Sequence, residues 1–190
     1  MPNEIEAKMR VPDHAPIRNR LRELGAEPHG VAIETNVIFE RPDHSLQSGG
    51  AGLRVRRARN AETGEVKQTV TYKGKLQKAA LKTREEIELI IADGDAQLLI
   101  ERLGFVKIFS FEKRRESWEL DGCHIELDEV PRLGTFVEIE GPGESAVMPL
   151  REKLGHGENP LISNSYVSMM LQSLEKAGDA SRDVRLGEDS

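Results

Sequence analysis

The chain has 190 residues, 32% of them charged, and a net charge of −6 at neutral pH. That length can bury a sizeable core, as one large domain or two small ones. The acidic balance argues against a general nucleic-acid binder, which would be basic overall. No run of about 18 apolar residues offers a membrane span, and the N-terminus lacks the basic-then-apolar pattern of a signal peptide. Cys123 is the single cysteine, so no disulfide framework or CxxC site is expected and a reducing cytoplasm is the expected compartment. It shares parity with Ile125 and Leu127, which reads as a buried thiol.

Glu4-Ile5-Glu6-Ala7-Lys8-Met9 opens the chain as a strand. Side chains alternate across an extended chain, so Glu4, Glu6 and Lys8 share one face and the apolar residues the other. Asp13 reads as an N-cap with Pro16 in the next turn, and Ile17, Leu21 and Leu24 form one helical face that ends at Gly25. Residues 31–40 read as a second strand. A third carries Leu53-Arg54-Val55-Arg56-Arg57, a hairpin connection spans 60–64, and 66–73 returns as a fourth. Residues 75–80 read as a mobile loop, and 82–92 as a fifth strand. Asp93 is expected to cap a helix bearing Ala96, Leu99, Ile100 and Leu103. A long strand over 105–119 meets the hairpin signal Asp121-Gly122. The next strand alternates His124, Glu126 and Asp128 with Cys123, Ile125 and Leu127, and a further one follows over 135–140. Helices are expected over 144–154 and 164–176, and the polar segment 177–190 reads as a disordered tail. The expectation is one domain, residues 1–176, with about eight strands and a few helices.

Nearly every strand repeats the device of the first. Acids fall at Glu4, Glu6, Glu86, Glu88, Glu126, Asp128, Glu138 and Glu140, and bases at Lys8, Arg54, Arg56, Lys73, Arg84, Lys113 and Arg115. Exposed strand faces would mix in Thr, Ser, Gln and Asn, which are scarce here. Eight antiparallel strands can close into a barrel. Its apolar faces could pack against the helices outside and leave a charged interior, where mixed signs make burial tolerable. The pattern alone does not decide which face points inward. A charged interior would suit a polyanion bridged by a divalent cation: Arg and Lys meet phosphate oxygens, and hard carboxylates hold Mg²⁺ or Mn²⁺.

The ordered motifs Glu4-Ile5-Glu6-Ala7-Lys8, Leu53-Arg54-Val55-Arg56, Thr71-Tyr72-Lys73-Gly74, Arg84-Glu85-Glu86-Ile87-Glu88, Lys113-Arg114-Arg115, Leu127-Asp128-Glu129-Val130, Phe136-Val137-Glu138-Ile139-Glu140 and Ser165-Tyr166 resemble the CYTH superfamily, the triphosphate tunnel metalloenzymes. The resemblance covers roughly residues 2–175 and is nearest the class IV adenylate cyclase branch, whose relatives include thiamine triphosphatases and inorganic triphosphatases. It implies an α+β fold, an eight-stranded antiparallel closed β-barrel with helices packed outside. It also implies metal-side acids at Glu4, Glu6, Glu138 and Glu140, with Glu86 and Asp128 contributing. Phosphate-binding bases are implied at Lys8, Arg54, Arg56, Lys73, Arg84, Lys113 and Arg115, with catalytic roles for Lys8, Lys73 and Arg115. Asn36-Val37-Ile38-Phe39-Glu40 departs from the aromatic-Phe-Asp-like segment of many relatives, which leaves recognition of the organic part of the substrate open.

The implied activity is conversion of ATP to cyclic AMP and pyrophosphate, with a triphosphatase as the alternative and a non-catalytic polyphosphate- or nucleotide-binding module as the second. The implied partners are a small-molecule triphosphate and Mg²⁺ or Mn²⁺, with neither nucleic acid nor membrane, and a homodimer stays open. Outside the main set, His124 could line the interior, and Lys75 or Lys78 could close over a phosphate from the loop. Tyr72 reads as a packing residue, and Trp118 as a core or barrel-rim residue. Arg57, Arg59, Glu85 and Arg114 have the outward parity.

Overall fold

The alternating strands pair in sequence-neighbour fashion and then close. The computed structural model describes residues 3–187. Its strands are β1 (Asn3–Val11), β2 (Glu27–Glu40), β3 (Gly52–Asn60), β4 (Val66–Lys73), β5 (Lys82–Ile91), β6 (Val106–Leu120), β7 (Cys123–Val130), β8 (Gly134–Glu140) and the short β9 (Asp183–Val184). The order is β2-β3-β4-β5-β1-β8-β7-β6, and β2 pairs with β6 to close an antiparallel eight-stranded barrel. The helices are α1 (Ala15–Glu23), α2 (Ser45–Ser48), α3 (Ala96–Arg102), α4 (Glu144–Lys153) and α5 (Tyr166–Ala177).

Which face points inward follows from what the helices cover. Ala7, Met9, Ile125, Leu127, Val137 and Ile139 belong to one buried cluster with Ile17 and Leu21 of α1 and Val147 and Leu150 of α4. Val37, Phe39 and Val55 form another with Ala96 of α3. The apolar parity is therefore on the outer wall under helices, and the charged parity is left inside, the reverse of most small soluble barrels. The cores gain roughly 25 cal/mol per Å² of apolar surface removed from water. Trp118 and Cys123 lie in the first cluster, as expected of packing residues. The close approach of α4 is enforced at Gly141, where a Cβ would stand 2.7 Å from the Cys123 sulfur and 3.0 Å from Val147.

α5 does something different. Its buried Tyr166, Met170 and Leu174 pack on Phe109, Phe111 and Phe136, which carry the inward parity of β6 and β8. α5 therefore closes one end of the barrel, and the Tyr166 ring stands edge-on to Phe136 with centroids 5.2 Å apart. The Asp121-Gly122 hairpin is as expected, both residues having positive φ, 53° and 73°, as a type I′ turn requires.

Four local expectations need correction. α1 has His14 at its N-cap without a side-chain cap bond, and Asp13 accepts instead from the Ala15 N–H. α3 is capped by Asp95, which accepts from the Leu98 N–H, two residues beyond the expected Asp93. β2 begins at Glu27 rather than near 31. Within the segment expected to be disordered, β9 pairs in parallel with β6, Val184 is 2% exposed among the α5 cluster, and Arg185 binds Glu112 and Asp183. Two residues are too short a strand to show a period, so only tertiary packing reveals it.

Candidate functional site

The interior is a continuous lattice of ion pairs, built rung by rung from cross-strand neighbours. Glu4 faces Arg84 across β1–β5, and Lys73 faces Glu86 across β4–β5. Lys73 Nζ donates to Glu4 (2.9 Å) and to Glu86, and Arg84 Nε donates to Glu4 (2.8 Å). Lys82 reaches Glu6 at 2.6 Å. Lys8 lies between Glu6 (3.3 Å) and Glu138 (3.0 Å), opposite Glu138 in the β1–β8 ladder. Arg115 binds Asp128 through Nε (2.7 Å) and Nη2 (2.6 Å), and its Nη2 also meets Glu138 at 2.5 Å. Lys113 donates to Asp128 at 2.9 Å and stands 3.5 Å from Glu34, which binds Arg56 at 3.1 Å. Arg54 donates to Thr71 (3.0 Å) and stands 3.6 Å from Glu88.

The structure thus brings every base named from the sequence, Lys8, Arg54, Arg56, Lys73, Arg84, Lys113 and Arg115, onto one inner surface. All but Arg56, whose carboxylate partner is Glu34, are flanked there by one or more of Glu4, Glu6, Glu86, Asp128 and Glu138. Glu140 is open to water at the rim, paired in register with Glu6 and His124. His124 is exposed there, and Lys75 and Lys78 lie on an exposed loop between β4 and β5. Arg57 and Arg59 are on the outer, exposed side, and Arg114 pairs with Glu129 at 3.3 Å.

Three lining groups were given no site role from the sequence, although Tyr166 stands in the Ser165-Tyr166 motif. Glu34 on β2 is buried between Arg56, Lys113 and Arg115. Lys82 continues the parity of Arg84 and Glu86 by one step at the very start of β5. Tyr166 enters from α5: its hydroxyl donates to Asp128 at 3.0 Å, and its ring lies 4.3 Å from the Lys8 and 5.1 Å from the Lys113 ammonium. Parity could have found the first two. A helix that inserts a side chain into a barrel end leaves no strand period to read.

Burial and like charge set the proton affinities. Burial works to raise the Glu4 carboxyl, but the charges of Lys73, Lys82 and Arg84 overcome it and hold the group far below the usual carboxylate range. Burial likewise opposes the charged Lys8, and Glu138 and Glu6 reverse it, leaving Lys8 above the ordinary lysine value. Lys73 is pushed down to about 8 by burial first and then by the charges of Arg54 and Arg84. Lys113 is lowered by burial and by Arg115. Glu140, although exposed at the rim, is raised to about 7, by the partial desolvation of the barrel mouth around it and then by the like charges of Glu4, Glu6 and Glu86.

That crowding of carboxylates at one rim is the feature that fits a divalent metal. The oxygens are hard, and the like charge that lifts Glu140 is what a dication would relieve. As they stand, Lys73, Lys82 and Arg84 occupy the oxygens of Glu4, Glu6 and Glu86. Among the described residues no three are grouped as a ligand cluster. At the end opposite α5 the interior opens into a cavity of about 330 Å³, walled by Glu34, Arg56, Thr69, Glu88, Arg115 and Glu126 among others.

Known proteins are similar to this chain in sequence and in fold. A Methanocaldococcus jannaschii protein named "Putative adenylate cyclase" is 30% identical over 138 residues, 72% of this chain and 75% of that protein. The solved PH1819 protein from Pyrococcus horikoshii superposes with a TM-score of 0.76 at 30% identity, over 89% of this chain and 98% of that one. A Hippeastrum protein, described as a "putative adenylyl cyclase" with a dominant triphosphatase activity, shares the fold at a TM-score of 0.62 and 19% identity, over 94% and 97% of the two chains. The CYTH domain model matches residues 2–166, and with the closed barrel and its charged lining in place the chain belongs to the CYTH domain family.

Proposed function

We propose that this protein is a divalent-metal-dependent enzyme that cleaves a triphosphate chain held inside the barrel, with ATP converted to cyclic AMP and pyrophosphate. The observation that carries the reading is the convergence of Lys8, Arg54, Arg56, Lys73, Arg84, Lys113 and Arg115 on one inner surface. Seven cations exceed what a monophosphate needs and suit a polyphosphate of about four negative charges near neutral pH. The name of the 30%-identical archaeal relative supports cyclisation as the reaction.

In this reading Glu4, Glu6, Glu86 and Glu140 hold Mg²⁺ or Mn²⁺ at the rim. When bound, the metal supplies charge neutralisation and polarises phosphate oxygen. Glu138 and Asp128 are more fully engaged with cations. Asp128 already accepts from Lys113, Arg115 and Tyr166, so it orients the phosphate-binding bases rather than taking a metal. Lys8, kept charged by Glu138 and Glu6, and Arg115, held by Asp128, act as fixed positive charge for the pyrophosphate leaving group. Lys73, at about 8, is close enough to neutrality to pass a proton during the reaction. In cyclisation the ribose 3′-hydroxyl attacks the α-phosphorus and gives its proton to Lys73 in its neutral form, the bond from that phosphorus to the bridging oxygen breaks, and pyrophosphate leaves.

A second reading, hydrolysis of inorganic or thiamine triphosphate, uses the same bases with water as nucleophile. It is favoured by the open cavity, where no Phe, Tyr or Trp among the described lining residues offers a base a stacking surface. Purified protein with Mg²⁺ or Mn²⁺, given ATP, thiamine triphosphate and inorganic triphosphate separately, distinguishes the two. Cyclic AMP with pyrophosphate supports cyclisation. Orthophosphate from inorganic or thiamine triphosphate, with no cyclic product from ATP, moves the assignment to hydrolysis. Binding without product in any case refutes both.

A further inference from the structure

Asn36, Arg56 and Thr69 are direct cross-strand neighbours on β2, β3 and β4, forming a single rung of the inner wall. Asn36 is fully buried and Thr69 is 3% exposed. The Asn36 amide orientation is set by its neighbour. Arg56 can only donate, and its Nε gives a hydrogen bond to Asn36 Oδ1 at 3.1 Å, so the amide nitrogen must be the atom turned elsewhere. That Nδ2 has no partner, nor has the Thr69 hydroxyl, nor the Nε of Arg54 two residues along the same face of β3. A buried donor left unmet costs stability, and native structures carry few of them. Here three lie on neighbouring positions of one surface, and all three can donate.

Donors predominate in the deficit: beside these three the wall leaves one acceptor without a hydrogen bond, Glu34 Oε2, and that oxygen faces the Lys113 ammonium at 3.5 Å. Each of the three donors calls for an acceptor, and the rung sits among Arg54, Arg56, Lys113 and Arg115, so the acceptor is anionic. Glu34, one step away on β2, already carries the counter-charge for Arg56 and Lys113. A group offering several acceptor oxygens and no donor is a phosphoryl group. We propose that Asn36, Thr69 and the Arg54 Nε form a subsite that binds one phosphoryl group of the substrate through neutral and charged donors together, making Asn36 and Thr69 substrate-binding residues. The inference rests on the triphosphate reading given above and names its contacts in the middle of the barrel. The segment that sets this chain apart from many of its relatives, Asn36 to Glu40, thereby acquires a role in holding phosphate.

The test is calorimetric titration of sodium tripolyphosphate, with Mg²⁺ present, into the wild type, Asn36→Asp and Thr69→Val, alongside thermal unfolding of each without ligand. Thr69→Val removes one donor at nearly constant shape and is expected to weaken binding by about 3- to 10-fold. Asn36→Asp removes two N–H groups and sets a carboxylate against the phosphate, so a loss of about 30-fold or more is expected. Its ligand-free unfolding midpoint is expected to equal or exceed the wild type, because the new carboxylate pairs with Arg56. A purely structural role predicts the opposite pattern, a lowered midpoint with unchanged affinity. Wild-type binding with both variants within twofold of it overturns this subsite and leaves the triphosphate reading standing. A wild type that binds no tripolyphosphate overturns the triphosphate reading and the subsite with it.

Discussion

Asp128 offers the sharpest test of the ion-pair lattice. It is 0% exposed, and its two oxygens accept from Lys113, from Arg115 twice and from Tyr166, at 2.6–3.0 Å. Asp128→Asn preserves the shape and removes the charge. Breaking a buried pair by removing one partner typically costs about 3–5 kcal/mol, because the remaining charge is left uncompensated. Two counter-charges survive here, Glu138 at 2.5 Å from Arg115 and Glu34 at 3.5 Å from Lys113. They place the expected loss at the low end, about 3 kcal/mol. For a chain of this length that lowers the unfolding midpoint by roughly 6–12 °C. Urea denaturation followed by the fluorescence of Trp118, the single tryptophan and a buried one, reads the change directly. Tripolyphosphate should narrow the gap, since a bound polyanion resupplies negative charge to Lys113 and Arg115. A variant within about 0.5 kcal/mol of wild type, a margin typical of a surface substitution, would refute the claim that Asp128 holds the cations of the interior together.

Glu140 provides a pH signature. Its folded value of about 7 lies above the ordinary 4.5, so between those values the folded state binds more protons than the unfolded one, and the group costs stability as pH rises through 7. Glu140→Gln should therefore raise the ligand-free unfolding midpoint at pH 8 and leave it unchanged at pH 4; an equal gain at both would contradict the crowded-carboxylate rim. Glu4→Gln with Glu6→Gln should abolish turnover at saturating Mg²⁺ or Mn²⁺ while the far-ultraviolet circular dichroism stays native, and unchanged turnover would rule out their role at the metal. Val184→Ala, at the β9 contact with the α5 cluster, is expected to cost about 2 kcal/mol in urea denaturation, and a neutral result would mean that the C-terminal segment does not pack on β6.

Much of the site was legible because period two is unambiguous once it recurs: Glu4, Glu6 and Lys8 share a face in any extended chain, and so do Arg54 and Arg56, or Glu138 and Glu140. The direction of that face was not legible. Ile17 and Leu21 of α1 need an apolar surface to cover, but nothing in their spacing says whether it is the inside or the outside of the barrel. Only the packing of α1, α3 and α4 on the outer wall of the closed barrel decides it. Lys82 and Glu34 obey the same parity and were missed at a strand end and in a strand otherwise apolar around Val37 and Phe39. Tyr166 and Val184 act at a distance in sequence, across the barrel end and on β6, where no local pattern reports on them. The unmet donors of Asn36 and Thr69 exist only once three strands stand side by side.

In the proposed function the triphosphate lies within the barrel, along the bases of its inner wall. The most direct measurement is a crystal structure with tripolyphosphate and Mn²⁺, using the anomalous signal of manganese to locate the metal. Phosphate density is expected in contact with Lys8, Arg54, Arg56, Lys113 and Arg115, and a manganese peak beside Glu4, Glu6 and Glu140. Phosphate density confined to the outer surface, with the interior ion pairs unchanged, would contradict this placement.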